Sequence, residues 1–294
     1  MSVGAVPVES AGALHAGRRE VRRELLRELA RSPLFWIGAV VLLWWIVCAI
    51  FGSMIAPHSA YSQDLLSSNK SPSGSHLFGT DGLGRDMFSR VIVGARDIMI
   101  IAPLATLLGT VAGTALGLVM GYFRGITDNV IGRFVEAFLA MPLIVTALLV
   151  TNALGRSNAI IIVAIGIVFT PLIARTVRAA VLQERELDYV AAARLRGERA
   201  PYIMFVEILP NVLAPVLVEF TVRLGYAIFT VAILSFLGLG ITPPSPDWGL
   251  EIQQNFGQVP AGYWWEVLFD ALAIASLVIA VNLISDSVEK VLER

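Results

Sequence analysis

The sequence predicts an all-α membrane protein with six transmembrane helices, and three observations carry that prediction: composition, the lengths of the apolar runs, and the placement of arginine. Of 294 residues, 56% are hydrophobic and only 15% charged, far from the balance of an ordinary soluble domain. About 20 apolar residues cross a hydrocarbon core of about 30 Å. Six runs are read as spans: 34–55, 98–122, 134–154, 159–173, 212–240 and 267–284. The fourth is short, and the fifth is long enough to contain a break. Arg18, Arg19, Arg22, Arg23, Arg27 and Arg31 precede the first run, Arg124 and Arg133 flank the second connection, and Arg178, Arg185, Arg194, Arg196 and Arg199 crowd the fourth. Lys290 and Arg294 close the chain, whereas 242–266 holds no Lys or Arg. By the positive-inside rule both termini are cytoplasmic, and so is the polar segment around Tyr189.

Taken in order, residues 1–17 are weakly patterned and read as disordered. Residues 19–31 read as an amphipathic interfacial helix. Val21, Leu25, Leu26 and Leu29 share one face, and Glu20–Arg23, Glu24–Arg27 and Glu28–Arg31 are i,i+3 pairs. The apolar run that follows is too long for a cleavable signal peptide. Cys48, the one cysteine, sits inside the first span and is expected to pack there. The second span carries Gly109, Gly113, Gly117 and Gly121, four apart on one face, which reads as a rail for close helix packing in lipid. Pro103 is a candidate kink in the same helix. The fifth span holds Glu219 and Arg223 on one face, either a self-neutralising ion pair or part of a polar pathway. Glu136 and Asp270 fall near span ends and read as interfacial. Trp264 and Trp265 read as interfacial anchors.

Several chemistries are excluded or unsupported. A P-loop needs a lysine after glycine, and the two lysines, Lys70 and Lys290, follow Asn69 and Glu289. No H-E-x-x-H or G-x-S-x-G is present, so no catalytic residues are assigned. His15, His58 and His76 show no metal-ligand spacing, so no metal site is expected. Net charge is −1, and nothing points to nucleic acid. Two classes remain: a multi-span subunit energised by a partner chain, or a secondary transporter. The latter often shows buried carboxylates for ion coupling, and no cluster of them stands out in the sequence.

Two stretches decide between them by resemblance. Around Tyr189, Ala192-Ala193 is followed by Gly197 and then by Leu209-Pro210. This resembles the cytoplasmic "EAA" loop of ABC-importer permeases, with Ala191 in place of the acidic residue and Glu207 at an apolar position. The run Phe78-Gly79-Thr80-Asp81, Gly84-Arg85-Asp86, Ser89-Arg90 resembles the segment before the second span in dipeptide, oligopeptide and nickel importer permeases, of the second ("C") type. Met141-Pro142, the run from Leu234 to Gly240 and the run from Pro243 to Gly249 fit the same family.

That likeness implies the type I ABC-importer permease fold in the cell (inner or plasma) membrane. It implies import of short peptides, with nickel, haem or another small solute as alternatives. Residues 1–32 become a cytoplasmic tail, 33–97 the first span and an external loop, and 98–294 the permease core with a coupling loop at 178–209. Implied partners are a homologous second permease, two ATP-binding subunits or domains, a solute-binding protein and membrane lipid. No cofactor belongs to this chain; ATP and Mg sit on the partner ATPases. Tyr189, Val190, Ala192, Ala193, Arg196, Gly197 and Pro210 are the implied ATPase-coupling residues. Asp81, Arg85, Asp86, Asp247 and Trp248 are candidates for the binding-protein face, and Glu219 and Arg223 for the pathway.

Overall fold

A computed structural model describes residues 28–292; the amphipathic helix expected over 19–31 falls mostly outside the described residues, of which 28–31 are helical. Ser32 opens the first long helix, its hydroxyl accepting from the Phe35 N–H at 3.3 Å while Pro33 takes the first position, where a missing N–H costs nothing. This helix, α1, spans Pro33–Ile55. It is followed by α2 (Met87–Phe123), α3 (Gly125–Leu139), α4 (Leu143–Leu154), α5 (Asn158–Glu184) and α6 (Asp188–Leu195). Then come α7 (Leu213–Phe236), α8 (Trp248–Asn255) and α9 (Trp265–Leu292). Among the described residues there is no strand, only an isolated bridge between Thr80 and Asp86.

Five of these helices are long and apolar enough to cross a membrane, and the count reaches six when α3 and α4 form one bent span. That bend corrects one expectation. The run 134–154 is not a continuous helix, because α3 and α4 meet at 92°. Pro142 has no N–H to continue the ladder and disfavours helical geometry at Met141 before it, so the chain breaks at 140–142. Two other runs proved too short as read. α5 runs on to Glu184, past the apolar residues, and α2 starts at Met87 because Asp86 caps it, its carboxylate accepting from Ser89 N at 2.9 Å. The fifth run has no internal break; α7 stops at Phe236.

The core is the α2–α5 seam. A Cβ built on Gly109 would lie 2.9 Å from the Phe169 Cβ, on Gly113 2.8 Å from that of Ile173, and on Gly117 2.7 Å from that of Val177. On Gly121 it would meet Val181 Cγ1 at 2.6 Å. The glycine rail and a four-residue ridge of large side chains on α5 therefore fit each other, which lets the backbones approach and gain dispersion contact. Cys48 is buried, as its position suggested. By contrast Val40, Leu43, Ile50 and Met54 of α1 face outward, as a lipid-facing helix should.

Candidate functional site

Two ends of the bundle carry the polar features. At one end, residues 56–86 and 241–264 fold into a compact lobe over the starts of α2 and α9. Gly84, at φ +71°, lets the chain pass the Asp64 carbonyl, where a Cβ would stand 1.8 Å from its oxygen. Asp81 then accepts from the N–H groups of Leu83 (2.9 Å) and Arg85 (2.8 Å), and its second oxygen takes the Arg85 guanidinium at 2.5 Å. Arg90 reaches Glu251, its Nε at 2.9 Å from one carboxylate oxygen and its Nη2 against the other. Trp248 donates to the Val91 carbonyl at 2.8 Å and packs edge-on to Trp45, centroids 4.7 Å apart. Phe78 stacks on Phe269 at 3.8 Å, and Trp265 donates to the Thr80 carbonyl at 3.1 Å.

The residues proposed from sequence for a binding-protein face are thus internal. Asp81, Asp247 and Trp248 are fully buried, Asp86 is 3% exposed and Arg85 6%. They cannot present side chains to another protein in this conformation, because each is spent on caps, ion pairs and packing inside the lobe. Asp247 caps α8 through the Leu250 N–H at 2.9 Å. Burial, with the Asp97 and Glu251 charges adding to it, pushes the Asp247 carboxyl up to about 7. Trp265 is buried too, so only Trp264 keeps the exposure expected of an interfacial anchor. Asp270 is likewise fully buried rather than interfacial. What the lobe does expose is Tyr61, Leu65, Leu66, Leu77 and Phe256. Glu251, missed in the sequence, is the buried partner of Arg90; the pair is 161 residues apart, and no local pattern marks it.

At the other end, α6 stands between α5 and α7. It closes with Gly197 at φ +76°, whose N–H meets the Arg194 carbonyl at 3.0 Å while the Glu198 N–H meets that of Ala193 at 3.2 Å. This is the doubly bonded glycine cap of a Schellman motif. Val190 and Ala193, two of the implied coupling residues, are completely buried against the bundle and so lie away from the outward face. The outward face is Ala191, Ala192, Leu195 and Arg196, with Leu195 90% exposed. Tyr189 braces the helix from behind: its hydroxyl donates to Glu184 at 2.8 Å and accepts from Asn211 at 3.0 Å. Burial, then the Glu184 hydrogen bond, pushes that hydroxyl up to about 12, so it stays a donor. Arg196 donates to Glu207 at 2.9 Å, which gives the polar residue at that departure from the family pattern a local role. Glu207 belongs to a π-helical stretch, Ile203–Ile208, and Pro210 lies exposed in the turn before α7.

In mid-bundle, Arg223 donates to Glu219 at 2.9 Å, and the second Glu219 oxygen accepts from Thr176 of α5 at 2.7 Å. The pair is about one-sixth exposed, beside outward-facing Leu217, Tyr226 and Phe229. It is satisfied within the chain and lies at the edge of a bare apolar face.

Residues 113–294 match the family model described as binding-protein-dependent transport system inner membrane component. Residues 21–72 match that described as the N-terminal TM domain of oligopeptide transport permease C. The dipeptide transport system permease protein of Bacillus subtilis (strain 168) is 34% identical over 267 residues, covering 91% of this chain and 83% of that protein. The glutathione transport system permease protein of Escherichia coli O6:K15:H31 is 37% identical over 271 residues, 92% of this chain and 89% of its own length. A dipeptide permease of Alkalihalophilus pseudofirmus is 34% identical over 271 residues, with 92% and 89% covered. With its helical bundle, its broken third span and its glycine-capped α6, the chain belongs to the binding-protein-dependent transport system inner membrane components, the ABC-transporter permeases of type I fold.

Proposed function

We propose that this chain is one transmembrane half of an ATP-driven importer of short peptides, with both termini and α6 cytoplasmic and the lobe outside. The observation that carries the reading is α6: a capped short helix, locked to the bundle on one face and bare on the other. Such a helix moves as a body when a partner grips it, whereas a loose loop absorbs the motion. The outer face (Ala191, Ala192, Leu195, Arg196) docks on an ATPase subunit, and Tyr189, Val190, Ala193, Gly197 and Pro210 hold it in position. A second permease covers the apolar face beside Glu219 and Arg223, and a solute-binding protein meets the exposed lobe residues rather than Asp81 or Trp248. Peptide is the cargo favoured by relatives named for dipeptide and glutathione transport.

The test is reconstitution of the whole complex in vesicles. Dipeptide uptake is expected to need ATP and to survive an ionophore. Ala192→Trp, which adds bulk only on the bare face, is expected to leave the permease folded while uptake falls at least tenfold relative to ATP hydrolysis, or while the ATPase is lost from the complex. Uptake at wild-type rate by that variant sinks the docking assignment; uptake that collapses with the ionophore sinks ATP coupling.

A further inference from the structure

The three histidines show no ligand spacing in the sequence, yet the fold brings two of them together with an aspartate. His58 lies just past α1, His76 in the turn before Phe78, and Asp86 at the cap of α2. Each offers one donor atom, and these atoms all lie within 4.8 Å of one another. The two imidazole rings are 5.0 Å apart between centroids and tilted by 36°.

We propose that His58, His76 and Asp86 form a binding site for a divalent transition-metal ion of the zinc class on the surface of the lobe. Two imidazoles and one carboxylate make a borderline donor set suited to zinc rather than to calcium or magnesium, which take oxygen ligands. A tetrahedral zinc with bonds of about 2.0–2.2 Å holds its donors about 3.3–3.6 Å apart, so modest side-chain rotation brings the present spacing, 2.9 Å for the closest pair and within 4.8 Å for all, to that value. The second contacts are already in place. Asp86 Oδ2 accepts from Ser89 N at 2.9 Å and Ser89 Oγ at 2.6 Å, which fixes the carboxylate and leaves Oδ1 facing His76 Nδ1 at 2.9 Å. His58 Nε2 faces the Ser75 carbonyl at 3.0 Å; a carbonyl only accepts, so that nitrogen carries the proton and Nδ1 carries the lone pair.

Access is graded in the way an ion needs. His58 is exposed, the His76 side chain 17% exposed and that of Asp86 2%. Three protein donors leave a fourth position to water. The mechanical effect of binding is to tie the chain leaving α1 to the start of α2.

The test uses the full-length chain, purified in detergent and stripped with a chelator, titrated with zinc chloride by calorimetry and with cobalt(II) by absorption. Wild type is expected to take one equivalent of zinc, to show the visible bands of four-coordinate cobalt, and to gain thermal stability. His58→Ala and His76→Ala are each expected to weaken binding at least tenfold, in line with the loss of one ligand. His15→Ala is expected to change nothing. His58 is exposed, so its alanine variant decides the matter even where His76→Ala folds poorly. No zinc binding by wild type at millimolar concentration overturns the proposal, as does binding that His58→Ala leaves unchanged.

Discussion

Replacing the glycines of α2 by alanine tests the packing on which the whole bundle rests. At Gly113 the added Cβ meets the Thr170 carbonyl and the Ile173 Cβ at 2.8 Å; at Gly117 it meets the Ala174 carbonyl at 2.8 Å and the Val177 Cβ at 2.7 Å. Ordinary contact begins at 3.4 Å, so α2 and α5 must part by about 0.6–0.7 Å. Backbone carbonyls cannot swing aside as a side-chain tip can. Overpacking of this kind costs about 1–3 kcal/mol per site, against which alanine's higher helix propensity returns about 1 kcal/mol. The double variant Gly113→Ala/Gly117→Ala is expected to cost less than the sum of the singles, because the helices separate once for both. Gly132→Ala on α3 is the internal control, since its Cβ would meet only Met120 Cε at 3.7 Å. Unfolding of the purified full-length chain in mild detergent, by heat and by SDS titration, reads the differences. If Gly113→Ala and Gly117→Ala are as stable as Gly132→Ala, the close approach of α2 and α5 is wrong and the seam argument goes with it.

Three further expectations follow from the paired and buried polar groups. Glu251→Gln leaves the Arg90 charge buried without its counter-ion, which costs about 3–5 kcal/mol; the double variant Arg90→Met/Glu251→Met should unfold at higher temperature than Glu251→Gln, and the reverse order would show that the ion pair is not what matters there. Asp247, raised to about 7 by burial, holds a proton in the folded chain that the unfolded chain has released. Its stabilising contribution is therefore full below about pH 4 and lost as pH rises through about 7. Asp247→Asn keeps the cap and should flatten the fall in thermal midpoint between about pH 4 and 7; an unchanged slope contradicts the assignment. Neutralising Glu219 and Arg223 together, to Gln and Met, should lower peptide uptake more than ATP hydrolysis or assembly, and equal losses in all three would mark the pair as purely structural.

The spans were legible because the bilayer dictates them: about 20 apolar residues cannot hide in a sequence. Their ends were not, since a helix outruns its apolar part wherever a cap and a neighbour support it. α2 begins at Met87 because Asp86 caps it, and α5 continues to Glu184 through Arg175 and Arg178, the latter held by Asp128 at 2.6 Å. Met141-Pro142 was read as a family mark while its backbone consequence, the right-angled break, went unread. The glycine rail was legible because spacing alone puts the four residues on one face. The lobe was misread because a charged residue outside a span looks like surface. Asp81 and Arg85 pair with each other four residues apart, whereas Arg90 is buried against Glu251, a partner that the fold, not the local sequence, supplies.

The direction of force through such a bundle follows from where the hydrogen bonds cross between helices. Tyr189 ties α6 to the end of α5 through Glu184 and to the turn before α7 through Asn211. Arg196 ties the far side of α6 to Glu207 in the π-helical stretch. A load on α6 therefore divides between α5 and α7, and the irregular backbone of Ile203–Ile208 is the compliant element on the α7 branch. Deeper in, Glu219 on α7 bonds Thr176 on α5, so the two branches are joined again. The α5 branch in turn is fitted into the α2 rail along four turns, which leaves sliding or rocking of the α2–α5–α7 group as a body easier than motion of α7 alone. The lobe caps the opposite end of that same group through Arg90 on α2 and Glu251 on α8. Burying its charges makes mechanical sense on this view: a lobe that must follow α2 rigidly is better held by a desolvated, doubly bonded ion pair than by loops that solvent can loosen.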